Sequence, residues 1–243
     1  MCYTEDREIL FFMKIFIDTA EIPEIIKAYD TGLIDGVTTN PTLIMKSGNT
    51  LQSVAILLNT QCPELDSISC EVVADTAEEM LQQAQYYIDI SPSMTIKLPC
   101  TVEGLKACKE LYKKDVQTNV TLVFSVAQAI LAAKAGATFI SPFVGRWEDN
   151  SVDGLDLIAR IRKVYDQSPT HYNYHIPYIL GASVRDVRQV EQCAINGADV
   201  VTIPPKVFWA MYKNVMTDKG LDQFNIDWKV ATNSVVKDTE VDV

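Results

Sequence analysis

Long apolar runs, paired cysteines and a surplus of basic residues are all missing from this chain. No stretch approaches the ~20 apolar residues that a membrane-spanning helix needs, so no membrane span is expected. Lysine and arginine number 21 against 32 aspartates and glutamates, a net charge of -11 with a pI near 4.6. That balance disfavours non-specific binding to nucleic acid or to an anionic membrane, and neither is expected as a partner. It leaves room for an anionic small substrate, because a few arginines can make one pocket positive. The six cysteines (Cys2, Cys62, Cys70, Cys100, Cys108, Cys193) are scattered, with no C-x-x-C. Reduced thiols in a cytoplasmic enzyme are the expectation, since a chain of this size builds its own core without disulfide staples. The only histidines are His171 and His175. Their spacing would suit a metal pair on a helix, but the Tyr172-Asn173-Tyr174 run between them follows Ser168-Pro169 and reads as a loop. No metal and no other cofactor is expected.

What is there is a regular alternation. Strand-like runs at Lys14–Asp18, Gly36–Asn40, Ser67–Val73, Met94–Pro99, Asn119–Val123, Thr138–Val144, Ile176–Ala182 and Asp199–Ile203 are each followed by a helix-like run. The helices are read at 22–30, 51–59, 76–89, 102–113, 127–135, 155–165, 184–196 and 207–213, with Thr76 as an N-cap. Repeated strand–helix units imply a parallel sheet. Eight of them in about 200 residues suit one closed (β/α)8 barrel. A doubly wound open sheet is the alternative, and it lacks its G-x-G-x-x-G after the first strand. The catalytic barrel is expected over residues 13–213, with a short C-terminal helix at 220–230. Residues 1–12 lack the basic start and long apolar centre of a signal peptide and read as an extension. They and the polar tail at 231–243 are expected to be loose.

Chemistry in such a barrel sits at the C-terminal strand ends. The strand Met94-Thr95-Ile96-Lys97-Leu98-Pro99 places Lys97 where a buried strand normally carries Val or Ile. The other ends bring Asp18, Thr38, Asn40, Glu71, Asn119, Thr121, Ser141, Phe143 and Arg146, then Ser183 with Arg185 just beyond. Each has a plain structural explanation alone. Asp18 suits a helix cap, Asn40-Pro41 a turn, Glu71 and Lys97 a solvated edge, Arg146 a surface ion pair. Alternation, however, aims Asp18, Glu71, Lys97 and Thr121 into one barrel, and burying them costs several kcal/mol. Titratable groups facing one another in a pocket are what a functional site needs.

The residue types indicate a carbonyl chemistry. A desolvated lysine amine attacks a ketone to give an iminium, an electron sink for carbon–carbon cleavage. Asp18 would take or return the proton of the hydroxyl at the cleaved bond. Glu71 and Thr121 would hold a proton-shuttling water. Asn40 and Asn119 would bind substrate hydroxyls, and Arg146 and Arg185 with Ser183 would fork a phosphate.

Six ordered blocks carry a family resemblance: Phe16-Ile17-Asp18-Thr19-Ala20, Gly36-Val37-Thr38-Thr39-Asn40-Pro41-Thr42, Ile96-Lys97-Leu98-Pro99 with Thr101 to Gly104, Asn119 to Ser125, Ile140-Ser141-Pro142-Phe143-Val144-Gly145-Arg146, and Gly181-Ala182-Ser183-Val184-Arg185. From about Met13 to Trp228 the chain resembles the transaldolase family, in the short-chain branch that includes fructose-6-phosphate aldolase. The resemblance implies a metal-free (β/α)8 barrel with Lys97 as the Schiff-base residue and Asp18 in proton transfer. It assigns Glu71 and Thr121 to the water, and Ser141, Arg146, Ser183 and Arg185 to the substrate's hydroxyl and phosphate end. In the aldolase branch the place of Glu71 is usually Gln and that of Phe143 usually Tyr. Glu and Phe are the transaldolase pattern, so transfer of dihydroxyacetone from a ketose phosphate to an aldose phosphate is expected. The alternatives are a lyase releasing free dihydroxyacetone and a non-catalytic sugar-phosphate-binding barrel. The resemblance further implies a ring-shaped homo-oligomer, a pentamer-based decamer, with the C-terminal helix (Leu221, Phe224, Ile226, Trp228) packing on a neighbour.

Overall fold

The computed structural model describes residues 12–167 and 175–238. Residues 1–11, His171 and 239–243, named above, lie outside the described residues. Two compact units are present, one through Phe208 and one from Trp209 onward.

In the first unit, β1 (Lys14–Asp18), β2 (Gly36–Thr38), β3 (Ser67–Glu71), β4 (Met94–Pro99), β5 (Thr118–Val123), β6 (Phe139–Pro142), β7 (Tyr178–Gly181) and β8 (Val200–Ile203) close a barrel in sequence order. Every neighbouring pair is parallel, and β1 closes the ring on β8 through Lys14 to Ile17 against Val200 to Ile203. The expected (β/α)8 barrel is the observed fold, with the open-sheet alternative removed by the β1–β8 pairing.

The period of the strands sorts side chains between the lumen and the helix layer. In β4, Met94, Ile96 and Leu98 are buried outward beneath the helices, while Thr95 and Lys97 face the lumen. The lumen itself is divided. Phe16, Phe139, Leu180, Ala182 and Val200 form an apolar cluster on the β6–β7–β8–β1 side, with the Phe16 and Phe139 rings edge to face at 5.8 Å. The β3–β4–β5 side is polar. Ser67 and Thr95 share a hydrogen bond at 2.7 Å, and Asn119 reaches Ser69 at 3.4 Å. These buried polar groups are tolerable because they satisfy one another.

The main helices are α1 (Ile22–Tyr29), α3 (Leu51–Gln61), α4 (Ala77–Ile88), α5 (Val102–Tyr112), α6 (Val126–Ala135), α8 (Gly154–Asp166), α9 (Val187–Ile195) and α10 (Pro205–Met211). Thr76 caps α4 as expected, accepting from the Glu79 N–H. Thr101 caps α5 by accepting from the Gly104 N–H at 3.1 Å. A Cβ at Gly104 would fall 2.0 Å from the Pro99 carbonyl oxygen, so only glycine lets α5 start this close to the end of β4.

Two short helices were not expected: α2 (Pro41–Ser47) and α7 (Val144–Glu148). Asn40, two residues beyond the end of β2, caps α2, with Pro41 in the first turn where a missing N–H costs nothing. The strand read through Asn40 accordingly stops at Thr38. The sixth strand, read to Val144, stops at Pro142 because Val144 turns into α7, its N–H bonded to the Ala182 carbonyl at 2.9 Å.

The second unit contains α11, a 24-residue helix from Val215 to Asp238. This corrects the expected boundaries of 220–230 and the loose tail from Ala231. Residues 231–238 are helical despite their polarity, and the Thr232 hydroxyl bonds back to the Trp228 carbonyl at 2.9 Å. Among the described residues no helix is long and apolar enough to cross a membrane.

Candidate active site

At the C-terminal mouth of the barrel lies a cavity of ≈ 130 Å³ whose walls include Asp18, Lys97, Thr121, Ser141, Phe143 and Arg146. Lys97 comes from β4, in register with Glu71 of β3 and Asn119 of β5. Its ammonium stands 3.0 Å from Glu71 Oε2 and donates to the Thr39 carbonyl at 2.9 Å. The lysine side chain is 7% exposed and the glutamate 17%, so this ion pair is largely withdrawn from water. The edge-strand explanation of Lys97 is therefore excluded by the closed barrel. A buried pair of this kind is a poor device for stability, because desolvation consumes most of the attraction.

Asp18 ends β1 and receives a hydrogen bond from Thr38 Oγ1 at 2.7 Å. Thr38 Oγ1 in turn shares a 2.6 Å contact with Thr202 Oγ1 of β8. Burial pushes the Asp18 carboxyl above its ordinary pKa, Lys97 and the Thr38 hydroxyl pull it back, and Glu71 adds to the rise. A carboxyl held in this way is prepared both to take and to give a proton.

Thr121 sits where β5 is irregular. The β5–β6 register shifts between Val120 and Val123, and Leu122 has a φ of 60°. Such a bulge re-aims the neighbouring side chain. Thr121 Oγ1 is buried and makes no hydrogen bond to the described residues, leaving its capacity for a bound molecule. Asn40 lines the cavity while its Oδ1 accepts from the Leu43 N–H as the cap of α2. Its amide oxygen is taken by the cap and its Nδ2 is the end left for a ligand.

Three expected site residues do not line the cavity: Glu71, Asn119 and Arg185. Glu71 lies beside it, 3.0 Å from the Lys97 ammonium. Asn119 is fully buried, bonded to Ser69 and accepting from Ser141 Oγ at 2.7 Å. It supports Ser141, which does reach the cavity. Arg185 is turned outward and forms a two-point pair with Asp149, donating from Nη1 to Oδ1, and from Nη2 to Oδ2 at 2.5 Å. Ser183, with a φ of 60°, and Arg146 remain on the cavity wall. The Arg146 guanidinium lies 4.9 Å from the centre of the Phe143 ring, a cation–π contact.

Sequence reasoning missed Thr39, Thr202 and Asp149. Thr202 carries the same inward alternation as Val200 on β8 and was open to detection by that rule. Thr39 acts through its backbone carbonyl, which no side-chain pattern signals. Asp149 pairs across 36 positions through a side-chain choice made only in three dimensions. Among the described residues no group of three or more His, Cys, Asp or Glu side chains forms a metal site.

The comparisons with known proteins agree with this geometry. The family model described as "Transaldolase/Fructose-6-phosphate aldolase" matches residues 15–242. The chain is 48% identical over 225 residues to a "Probable transaldolase" of Paracoccus denitrificans, covering 92% of this chain and 100% of that one. It is 49% identical over 224 residues to a "Probable transaldolase" of Caulobacter vibrioides, covering 92% and 100%. A thiamine phosphate pyrophosphorylase from Pyrococcus furiosus superposes with a TM-score of 0.53 at 15% identity, covering 79% and 85%, which shows the shared barrel and nothing finer. The matched span contains every strand of the barrel beyond its first residue and the whole constellation around Lys97, so this chain belongs to the transaldolase/fructose-6-phosphate aldolase family.

Proposed function

We propose that the protein is a transaldolase that moves a dihydroxyacetone unit from a ketose phosphate, such as fructose 6-phosphate or sedoheptulose 7-phosphate, to an aldose phosphate. The observation that carries this reading is Lys97, held by Glu71 and the Thr39 carbonyl in the same cavity as Asp18 and Thr121. Glu71 accepts a proton from the ammonium, and the neutral amine attacks the ketone carbonyl. The carbinolamine loses water through Glu71 and a water at Thr121, and an iminium on Lys97 results. Asp18 removes the proton of the C4 hydroxyl, two carbons from the iminium carbon, as the C3–C4 bond breaks; C4 becomes the aldehyde of the released aldose phosphate and the bonding electrons pass to the iminium, leaving an enamine. The acceptor aldehyde adds to that enamine, Asp18 returns the proton, and water hydrolyses the new iminium. Thr38 orients Asp18, Asn40 and Ser141 bind substrate hydroxyls with Asn119 supporting Ser141, and Arg146, Ser183 and Arg185 take the phosphate.

Phe143 supports transfer over release. It has no hydroxyl to protonate the three-carbon fragment, so the enamine waits for an aldehyde. Borohydride reduction with fructose 6-phosphate tests the chemistry: the expected result is a three-carbon adduct on Lys97, seen by peptide mass. No adduct at Lys97 refutes the Schiff base and favours the binding-only reading. The rate of transfer to erythrose 4-phosphate is expected to exceed release of free dihydroxyacetone by a wide margin. Comparable rates would make the protein a lyase.

The same reading includes a cytoplasmic, ring-shaped homo-oligomer, a pentamer-based decamer. Supporting it, Leu221, Phe224 and Trp228 share one face of α11 and are 55%, 70% and 71% exposed, apolar area that a second copy of the chain would cover. Five cysteines, Cys62, Cys70, Cys100, Cys108 and Cys193, are free thiols, in keeping with a reducing compartment. Light scattering of the full chain is expected to give ten copies, and a monomer would refute the assembly.

A further inference from the structure

Arg185 is the one residue of the expected phosphate clamp whose charged end already holds an anion. Its two terminal nitrogens each meet a separate oxygen of Asp149, the arrangement in which a guanidinium takes two oxygens of a phosphate. The inner nitrogen of the guanidinium, Nε, nevertheless lies close to the cavity wall. A Cβ on Gly145 would lie 2.8 Å from Arg185 Nε and 3.1 Å from Ser183 Oγ, so the guanidinium and the cavity-lining hydroxyl flank the same point.

Among the described residues the Asp149 carboxylate has no hydrogen-bond partner besides Arg185, and Arg146 of the same clamp attracts it more weakly. It is the C-cap of α7, and it serves there through its backbone N–H, bonded to the Gly145 carbonyl at 3.0 Å. An acidic group at a helix C-terminus is on the unfavourable end of the helix dipole. The neighbouring Glu148 is engaged elsewhere, accepting from Gln189 Nε2 at 2.5 Å. Gln189 also accepts from the Arg185 backbone N–H at 2.6 Å, so the backbone of Arg185 is fixed while its guanidinium is exchangeable. Both side chains of the pair are 49% exposed, a setting in which an ion pair is weak and breaks readily.

We propose that Asp149 is an internal competitor of the substrate's phosphate for Arg185, and thereby sets how strongly the site prefers phosphorylated over unphosphorylated ketoses. The proposal rests on the reading of Arg146, Ser183 and Arg185 as a phosphate clamp. In the empty site Asp149 neutralises the arginine. A phosphate dianion between Arg146 and Arg185 displaces the carboxylate, which swings into water where it is readily solvated. A neutral sugar makes no use of Arg185 and leaves the pair closed. The arginine also holds the Asp149 carboxyl below its ordinary pKa, so the competitor stays charged across the neutral range.

The test measures binding of inorganic phosphate to the full chain by calorimetry, beside KM for fructose 6-phosphate and for unphosphorylated fructose, in wild type, Asp149→Asn, Arg185→Gln and the double variant. Asp149→Asn is expected to tighten inorganic phosphate and lower KM for fructose 6-phosphate, each by about two- to fivefold, with KM for fructose unchanged. In the Arg185→Gln background the same change is expected to have no effect. Asp149→Ser is expected to repeat the Asp149→Asn result, which guards against a defect peculiar to asparagine. A gain that persists without Arg185 overturns the proposal, because Asp149 then acts only as a nearby negative charge. Unchanged phosphate binding in Asp149→Asn, or no phosphate binding by any variant, overturns it as well. If phosphate binding follows the expected pattern while no ketose is turned over, the competitor stands and the transaldolase reading falls.

Discussion

Lys97 and Arg185 each hold a carboxylate, in opposite surroundings. The Lys97–Glu71 pair is 7% and 17% exposed, locked by the β3–β4 register and by the Thr39 carbonyl. The Arg185–Asp149 pair is 49% exposed on both sides and joins a loop to the end of a five-residue helix. Charge in the barrel interior cannot be re-solvated cheaply, so the inner pair is confined to one geometry. At the rim water replaces either partner at little cost. A nucleophile that must meet one carbon atom needs the first setting. On the proposed function, a clamp that must open for a phosphate and let it go again needs the second.

The largest expected effect separates charge from nucleophilicity at the inner pair. Lys97→Arg keeps the cation facing Glu71 but removes an amine able to form an iminium. Turnover is expected to fall to background with no borohydride adduct, while Arg185→Lys, the same kind of exchange at the rim, is expected to cost no more than about tenfold in kcat/KM. Comparable losses at the two positions would erase the distinction between them.

Next in size is Asp18→Asn, which is expected to lower kcat by roughly a hundred- to ten-thousandfold, the range of a lost general acid–base group. It also tests whether the inner site costs stability. The folded-state pKa of Asp18 lies above the unfolded value, so the folded chain binds the proton more tightly than the unfolded one. Stability therefore falls as pH rises from the unfolded pKa through the folded one, and at neutral pH Asp18 is a liability. Asp18→Asn is expected to melt at higher temperature than wild type at pH 7, with the gain disappearing as pH falls toward 4. An equal or lower melting temperature at pH 7 would mean that Lys97 and Thr38 outweigh the desolvation.

The same two regions differ in how far they can be read from sequence. Lys97, Glu71, Asp18 and Thr121 follow from strand period and barrel closure, because a register that buries Ile96 and Leu98 outward leaves Lys97 no other direction. The rim obeys no such period. The exposed guanidinium of Arg185 selects its partner from whatever loops lie within reach, and Asp149 is 36 positions away. Short helices such as α2 and α7 are equally hard to anticipate, since Asn40-Pro41 serves as a strand end, a turn or a cap with the same residues. The full length of α11 escaped for a different reason. Its Ala231–Asp238 end is polar, and composition without a visible apolar period reads as a tail.

A smaller effect is expected where a hydroxyl tunes the inner carboxylate. Thr38→Val removes the hydrogen bond that favours charged Asp18. The Asp18 pKa then rises further, and the acidic limb of the kcat/KM profile is expected to move to higher pH, with a loss of about tenfold or less near neutrality. A limb that stays in place would assign that limb to another group.

The smallest effect belongs to Phe143, which joins the two regions. Its ring lies under the Arg146 guanidinium at 4.9 Å, and the residue lines the cavity in which the three-carbon fragment would wait. Two substitutions divide these roles. Phe143→Leu removes the π face and leaves Arg146 to sample more of the solvent. An exposed cation–π contact is worth about 0.5–1 kcal/mol, so KM for fructose 6-phosphate is expected to rise about two- to fivefold with kcat little changed. Phe143→Tyr keeps the face and adds a hydroxyl. KM is then expected to hold while release of free dihydroxyacetone increases, because the hydroxyl can donate a proton to the enamine. If Phe143→Leu leaves KM unchanged, Arg146 is positioned without the ring and the rim owes nothing to the inner site. If Phe143→Tyr leaves the partition unchanged, the fate of the fragment is decided nearer to Lys97, at Glu71.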